Sequence, residues 1–582
     1  MTSCRAMSVP LLAVVALSIM LLGGGCSDES DQAIGGSAGA VTVGGSGGVG
    51  GSGGSGGTGG AGAAGGAGGG GIVGPKYYIS PTGDDAQDGL TPETPWLTFD
   101  HALPILQPGD NLMLLDGTYE AGSTGLPHVD CGVDGNAVNG LEDAPIAIRA
   151  VDERQARAVT NAEDNLNAFA MDGCSHWIVD GLMVEGVDAS DPNAGRDLFY
   201  LNRCEHVTVR RVLAVNAPHN DANKMPITMV DCRFVLLEES EVYDFPRHGI
   251  SIKRSSDMRI RRCYVNGRPD VAGESIALYP AARSYVENCI AEGSGRGIQI
   301  HSGPTLVVGG EQGGQDNQFL GCITLNTLRG SFVDARDCNG CAQYIRPTHN
   351  NLIRDVLYLG PGSYGLGMKT AGGLIASGPD GVRLENVTIY GAALQGIAAT
   401  EWGMTSDGYD VTCANLPAPY QCSFSATNTL VVGSASHAVE VNGPYEYLVA
   451  NSNFFNNNGG VNQIHPSEPD IADDAGNYRQ CQIQRPTDWI AADGSLEAGR
   501  TLVYVPAGSN MKGAGKGGAD IGANILYRYE DGVLTTTPLW DPATGAFPCG
   551  AQVAGINDVA GESCFDVHQR LNVSPATLPA GY

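Results

Sequence analysis

The chain reads as an all-β solenoid, a parallel β-helix, and three observations predict it. From Phe199 to Phe454 two short runs of alternating apolar residues recur about every 30 residues, the period of a stacked repeat. Within a repeat the second run starts eight residues after the first: Ile227-x-Met229 then Val235-x-Leu237, Ile250-x-Ile252 then Met258-x-Ile260, Ile276-x-Leu278 then Ser284-x-Val286. Asn386 and Asn451, each just ahead of an inward residue, mark polar turn or ladder positions. Alternation sends every second side chain inward, and a constant gap returns the same positions to the interior on each coil. Ile250, Ile276 and Ile298 are therefore expected in one inward column, with adjacent coils pairing in parallel about 4.8 Å apart.

Residues 1–26 read as an export signal, with Arg5 ahead of an apolar stretch from Val9 to Leu22 that closes at Gly23-Gly24-Gly25-Cys26. The stretch is shorter than the roughly 20 apolar residues of a membrane span. Residues 27–74 are almost wholly Gly, Ser, Ala and Thr and cannot bury a core. They form a tether with a reach of about 35–40 Å. G-x-S-x-G and G-x-G-x-x-G occur there by composition alone, so neither a nucleophile elbow nor a dinucleotide loop is inferred; the similar Gly360 to Gly365 stretch is a turn between coils.

Residues 75–145 form an N-terminal cap and the first coils, with a helix near Trp96 to Leu106 that ends at Pro108-Gly109-Asp110. A short amphipathic helix there covers the open end of the core. Residues 146–462 are the β-helix proper. Past about residue 463 the period fails, so 463–582 are expected to form an irregular C-terminal cap built around Thr501 to Val505, Gly517 to Asn524 and Leu526 to Tyr529.

Acidic residues number 63 against 33 basic, a formal net charge of −30, which argues against nucleic acid or an anionic lipid surface as a general partner. The acidity fits an exported monomer that takes up Ca²⁺, and no dedicated metal site is predicted. Of 16 cysteines, 14 follow Cys26, an even number that favours disulfides in an oxidising compartment. Cys174, Cys204 and Cys232 share one column within bonding range, where all three cannot pair. Cys263, Cys289 and Cys322 form a second, buried column. Cys338-x-x-Cys341 reads as a loop disulfide rather than zinc, since no second Cys pair or His pair accompanies it. Cys549 is expected to pair with Cys564.

Two segments resemble known families. The N-terminus resembles a bacterial lipoprotein signal, with Gly23 where the usual pattern has Leu; the resemblance implies that Cys26 is lipidated and becomes the new N-terminus. Tyr77-Tyr78-Ile79-Ser80-Pro81-Thr82-Gly83, Asp88-Gly89, Pro95-Trp96 and Pro108-Gly109-Asp110 followed by Asp116-Gly117-Thr118-Tyr119 resemble the cap of secreted right-handed parallel β-helix proteins, the pectate-lyase-like superfamily. That group includes polysaccharide lyases and uronate epimerases, so the resemblance implies a right-handed coil and a polysaccharide partner. It is silent on the reaction, because the cap carries no chemistry. Asp84, Asp85 and Asp88 within it are expected to cap turns, with a Ca²⁺ loop as the alternative.

The register also aligns outward positions. Two residues before the first apolar run stand His248, Glu274 and Arg296; one residue after it, Lys253, Tyr279 and His301; between them, Ser251, Ala277 and Gln299. A uronate lyase or C5 epimerase must remove the proton α to a carboxylate, which requires neutralising that carboxylate and a group to move the proton. The patch offers Arg296 as clamp, Lys253 or His301 as base, Tyr279 as acid toward the leaving oxygen, and Glu274 as orienter or Ca²⁺ ligand, with His248 and Gln299 as binding residues. A glycoside hydrolase would need two facing carboxylates about 5–10 Å apart. Asp334 and Asp337 are the candidates, sharing one loop without a partner column. The His219-Asn220-Asp221-x-Asn223-Lys224 loop reads as a solvated turn or one wall of a cleft. From another class, a non-catalytic adhesin or matrix protein would bind glycan along the same coils. If Cys26 is the anchor, Cys26→Ser moves the protein from the membrane fraction to the soluble exported fraction, as cell fractionation and blotting would show.

Overall fold

Successive coils pair edge to edge through their backbones and build three long parallel sheets, the right-handed parallel β-helix expected. The computed structural model describes residues 74–160, 166–186, 197–217, 224–267, 273–302, 307–310, 313–335, 348–362, 365–370, 380–401, 421–442, 445–457, 481–557, 563–571, 573 and 578–579. The proposed signal, residues 27–73 of the tether, Cys338, Cys341, Asp337 and the loop residues from His219 to Asn223 lie outside these residues. Among the described residues sheet I has 13 strands, from Lys76–Ile79 to Glu446–Ala450; sheet II has 12, from Gly117–Glu120 to Asn453–Phe455; sheet III has 11, from His128–Asp130 to Val439–Asn442. Each coil visits III, then I, then II. Phe169–Asp172, Trp177–Asp180 and Met183–Glu185 make one turn, and Phe199–Asn202 starts the next beside Phe169–Asp172.

The apolar alternation explains the core. Ile227, Ile250, Ile276 and Ile298 are partners from coil to coil and are fully buried. Phe169 and Phe199 stack with centroids 4.4 Å apart in the same interior. The corner between sheets I and II is made by one residue with positive φ per coil. Arg211, Glu239, Arg262, Asn288, Asp355, Asn386, Asn428 and Asn451 all hold φ of 51–55° there, and Gly181 and Gly321 take the same place. This conformation costs an L-residue roughly 1–2 kcal/mol, and Asn, Asp and Gly tolerate it best, which is why Asn386 and Asn451 stand at corners.

Cys174 keeps its expected column, since Ser175 bridges Glu205 and Glu205 bridges Arg233, but it bonds to Cys131 of the preceding coil, with Cα atoms 5.0 Å apart. Cys204 and Cys232 remain buried thiols, as do Cys263, Cys289 and Cys322. Cys549 is bonded to Cys564.

The N-terminal helix is shorter than the pattern suggests: an α-turn at Phe99–Ala102 continues as a 3-10 turn at Leu103–Ile105. Asp85 defines its start, accepting from the backbone N–H groups of Leu97 (2.8 Å) and Thr98 (2.9 Å) and from the Thr98 hydroxyl (2.7 Å). Asp84 and Asp88 accept from the N–H groups of Ala86 and Leu90. All three carboxylates are thus spent on turns and a cap.

The irregular C-terminal region starts on the last coil, where Gln482 bridges to Asn453. It then runs back along the solenoid. Trp489, Ile521 and Ile525 pack with the outward faces of Tyr264, Ile290, Ile323 and Leu430 on sheet II, and Val553 and Ile556 reach Met183 and Leu213. An antiparallel hairpin, Tyr527–Glu530 with Val533–Pro538, turns onto sheet I, where Tyr529 covers Leu320 and Leu352. A buried Arg154–Glu241 ion pair secures the far end: Arg154 donates to the Ala551 carbonyl (2.9 Å), and the Asn557 amide donates to Glu241 (2.9 Å).

Asp355 holds the hairpin. Its carboxyl accepts from the Tyr529 hydroxyl (2.6 Å) and the Asn524 N–H (3.2 Å), and burial outweighs these bonds to push its pKa from 3.8 to about 6. A carboxyl raised in the folded state contributes stability that is full below its unfolded pKa and is lost as pH rises through its folded pKa. The shift corresponds to about 3 kcal/mol at most. Hydrogen exchange of the Tyr527–Glu530 amides, compared with amides of the inner coils, should therefore accelerate between pH 4 and pH 6–7. Asp355→Asn should flatten that dependence.

Candidate functional site

Three neighbouring strands of sheet III carry the densest mixture of ionisable groups on the predicted columns: His248–Lys253, Glu274–Leu278 and Arg296–Ser302. The register pairs His248 with Glu274, Glu274 with Arg296, Ser251 with Ala277, and Ala277 with Gln299, as the sequence alignment of coils requires. Tyr279 follows Leu278 and lies beside Lys253, with its N–H donating to the Ile252 carbonyl.

The side chains divide into two sets. Glu274 faces His248 with one oxygen and Arg296 with the other. His248 Nδ1 is 2.6 Å from Glu274 Oε2, close but off the line of an N–H hydrogen bond. Arg296 Nη1 contacts Glu274 Oε1 and also donates to Gln299 Oε1 at 3.1 Å. Gln299 Nε2 lies 3.3 Å from His301 Nδ1, and the His301 ring meets Tyr279 edge to face with centroids 4.7 Å apart. His248, Glu274, Gln299 and His301 are at most 5% exposed, so this is a buried network and not the open patch its outward register suggests.

Burial alone would raise Glu274, but His248, Arg296 and His301 together hold it well below the usual carboxylate range. Burial in turn keeps His248 below its ordinary value, against the pull of Glu274. The Arg296 guanidinium is thus the attraction that persists at neutral pH and keeps Glu274 ionised. With both oxygens so engaged, Glu274 acts as an orienter of Arg296 and His248 in preference to a Ca²⁺ ligand.

Lys253 and Tyr279 form the second set. Both are half-buried, and among the described residues neither the Lys253 ammonium nor the Tyr279 hydroxyl has a hydrogen bond or ion pair. A further carboxyl faces Lys253: Asp197, two coils back, which accepts from the Met225 N–H at 3.0 Å. Although Asp197 keeps part of its surface in solvent, enclosure of the carboxyl raises its pKa, against the opposing influence of Lys253, the Thr228 hydroxyl, Met225 N–H and Lys224. Asp197 was legible from the sequence, since it stands two residues before Phe199 in the same column as His248, Glu274 and Arg296. Asp334 lies on the strand Arg329–Ala335, in register with His301 and Lys369.

A family model described as "Right handed beta helix region" matches residues 171–342, the stretch holding this cluster. No curated protein matches the chain. Among solved structures, pectate lyase Pel9A is similar over 78% of this chain and 96% of its own, with 14% identity and a TM-score of 0.37. The PL6 family polysaccharide lyase Pedsa3628 from Pseudopedobacter saltans is similar over 68% and 91%, with 12% identity and a TM-score of 0.39. The catalytic domain of a GH87 α-1,3-glucanase is similar over 58% of this chain and 63% of its own, with 14% identity and a TM-score of 0.37. Likeness at this level leaves the reaction to the residues.

The two sets should respond differently to substitution. Glu274→Gln leaves Arg296 buried without its counter-charge and should lower stability by about 3–5 kcal/mol in chemical denaturation. Lys253→Ala breaks no hydrogen bond or salt bridge among the described residues, only the longer-range attraction for Asp197, and should cost much less, about 1 kcal/mol.

Proposed function

We propose that this protein binds and processes an acidic polysaccharide on sheet III, by β-elimination or C5 epimerisation of a uronate. The observation that carries this reading is the placement of Lys253 and Tyr279 side by side on adjacent coils, two proton-carrying groups with no hydrogen bond or ion pair among the described residues, beside a buried cluster whose members are held in place. The Lys253 amine would take the C5 proton. In elimination the electron pair forms the C4–C5 double bond as the C4–O bond breaks, and the Tyr279 hydroxyl supplies a proton to the leaving oxygen. In epimerisation Tyr279 instead returns a proton to C5 on the opposite face. Arg296, oriented by Glu274 and Gln299, supplies positive charge beside the uronate carboxylate, and His301 fixes the Tyr279 ring. We further propose that the protein works outside the cell, anchored through Cys26, with the Gly-rich segment as its leash.

The products separate the reactions. Elimination leaves a conjugated unsaturated uronate that absorbs in the ultraviolet, hydrolysis yields reducing ends alone, and epimerisation yields neither but changes the sugar's NMR spectrum. Alginate, pectate and glycosaminoglycans, each with and without Ca²⁺, are the panel. Lys253→Ala should slow turnover by about 10²–10⁴, and Arg296→Ala by about 10²–10³. Binding without turnover, unchanged in both variants, would instead establish a glycan-binding surface protein.

A further inference from the structure

The outward columns of sheet III continue toward the N-terminus, where the surface changes character. A cavity of about 420 Å³ opens over the first three of its strands, lined by His128, Asp130, Leu166, Asn167, Asp172 and Tyr200 among others. That size lies in the range of about 300–1,000 Å³ typical of small-ligand sites. The register ties it to the candidate site. Tyr200 pairs with Thr228, and Thr228 with Ser251, so the cavity begins two coil steps, about 10 Å, from the Lys253 strand, and Asp172 lies one step further. A glycan lying along sheet III would cover that distance with a few linked rings.

The chemistry of the two places is opposite. Among the described residues no Lys or Arg lines the cavity, and the Arg203 at its edge is already paired with Asp172. His128 Nε2 lies 2.7 Å from the Asn167 carbonyl, which can only accept, so a neutral His128 carries its proton on Nε2 and leaves Nδ1 as an acceptor. Asp130 accepts from the Gly132 N–H through one oxygen, and Asp172 is held by two bonds from Arg203 and one from Asn202, leaving lone pairs on both carboxylates. The Tyr200 hydroxyl and the Asn167 amide have no hydrogen-bond partner among the described residues. Burial, with the nearby charges of Asp197 and Asp172, pushes Tyr200 up to about 12, so it stays a neutral donor and acceptor. Such a lining accepts hydrogen bonds from several hydroxyls and, with Arg203 already paired to Asp172, offers no spare cation among the described residues to a carboxylate or sulfate. Leu166 and Ala170 add an apolar flank for a ring's C–H face.

We infer that this cavity is a subsite for a neutral sugar unit, and that the glycan processed at Lys253 is a heteropolysaccharide in which uronate and neutral sugars share one chain. This rests on the uronate reading above and narrows its substrate class. The test uses the full-length protein, with Lys253→Ala as the background for binding measurements. Its probes are rhamnogalacturonan, glucuronoxylan and hyaluronan oligosaccharides against oligogalacturonate and oligoguluronate. Calorimetry should show at least one mixed oligosaccharide binding more tightly than either homouronan. Tyr200→Ala and Asn167→Ala should each weaken that mixed ligand about tenfold, the effect of losing one or two good hydrogen bonds, and leave homouronan binding unchanged. Thermal unfolding of both variants should match the parent, and Tyr200→Phe should reproduce the loss if the hydroxyl is what matters. Homouronan binding that equals or exceeds every mixed ligand, or equal loss of both classes in the variants, overturns the inference while uronate turnover still stands. Mixed-ligand binding that depends on Tyr200 and Asn167 without any turnover by the parent would keep the subsite and overturn the uronate reaction.

Discussion

Everything in this molecule depends on the parallel backbone register between coils. Because each strand hydrogen-bonds to its counterpart one coil away, a side chain's face and column follow from its count along the coil. A one-residue slip in any coil would turn its Ile or Val outward and its charges inward. The fixed corner between sheets I and II guards against this. A single residue of positive φ, at the same place in coil after coil, sets where sheet II begins, and the local strain at Arg211, Glu239 or Arg262 is carried by the ladder on either side.

The same stacking organises charge. The protein is strongly acidic, yet its charges are arranged as short ladders between neighbouring coils. Arg203 grips Asp172, Arg254 grips Asp231 and Arg283 grips Asp257, each through two bonds at the same kind of turn. On sheet I, Asp180 gathers Arg149, Arg210 and Arg211. The exposed members of such ladders contribute little each, since solvent screens them. Glu274 and Arg296 repeat the motif where solvent is excluded, and there the consequence changes: the pair becomes a fixed field beside Lys253 and Tyr279. One architectural device thus serves as surface decoration in most coils and as site electrostatics in a few.

The C-terminal region adds an asymmetry that the coils alone lack. Its described residues pack along sheet II and turn onto sheet I, while the buried cluster and the N-terminal cavity both lie on sheet III. Apolar residues such as Tyr264, Ile290 and Leu430 point outward from sheet II and would leave a greasy stripe without that cover. The faces of the solenoid are therefore not equivalent, and sheet III is the one supplied with mixed polar chemistry.

The coil period, the inward column of Ile250, Ile276 and Ile298, the corners at Asn386 and Asn451, and the shared columns of His248–Glu274–Arg296 and Lys253–Tyr279–His301 were all determined by the sequence. They depend only on alternation and on a constant gap between apolar runs, both local properties of the chain. Asp197 belonged to the same column and could have been found by the same count. The pairing of Cys174 with Cys131, the return of the C-terminal region along sheet II, and the burial of Glu274, Gln299 and His301 were decided by tertiary structure alone. These depend on which segments come to lie over a face, and periodicity does not encode that. Nor could the sequence separate Lys253 and Tyr279, whose ammonium and hydroxyl make no hydrogen bond or ion pair among the described residues, from the four buried residues that hold one another, because partnership is a matter of distances between side chains on different coils.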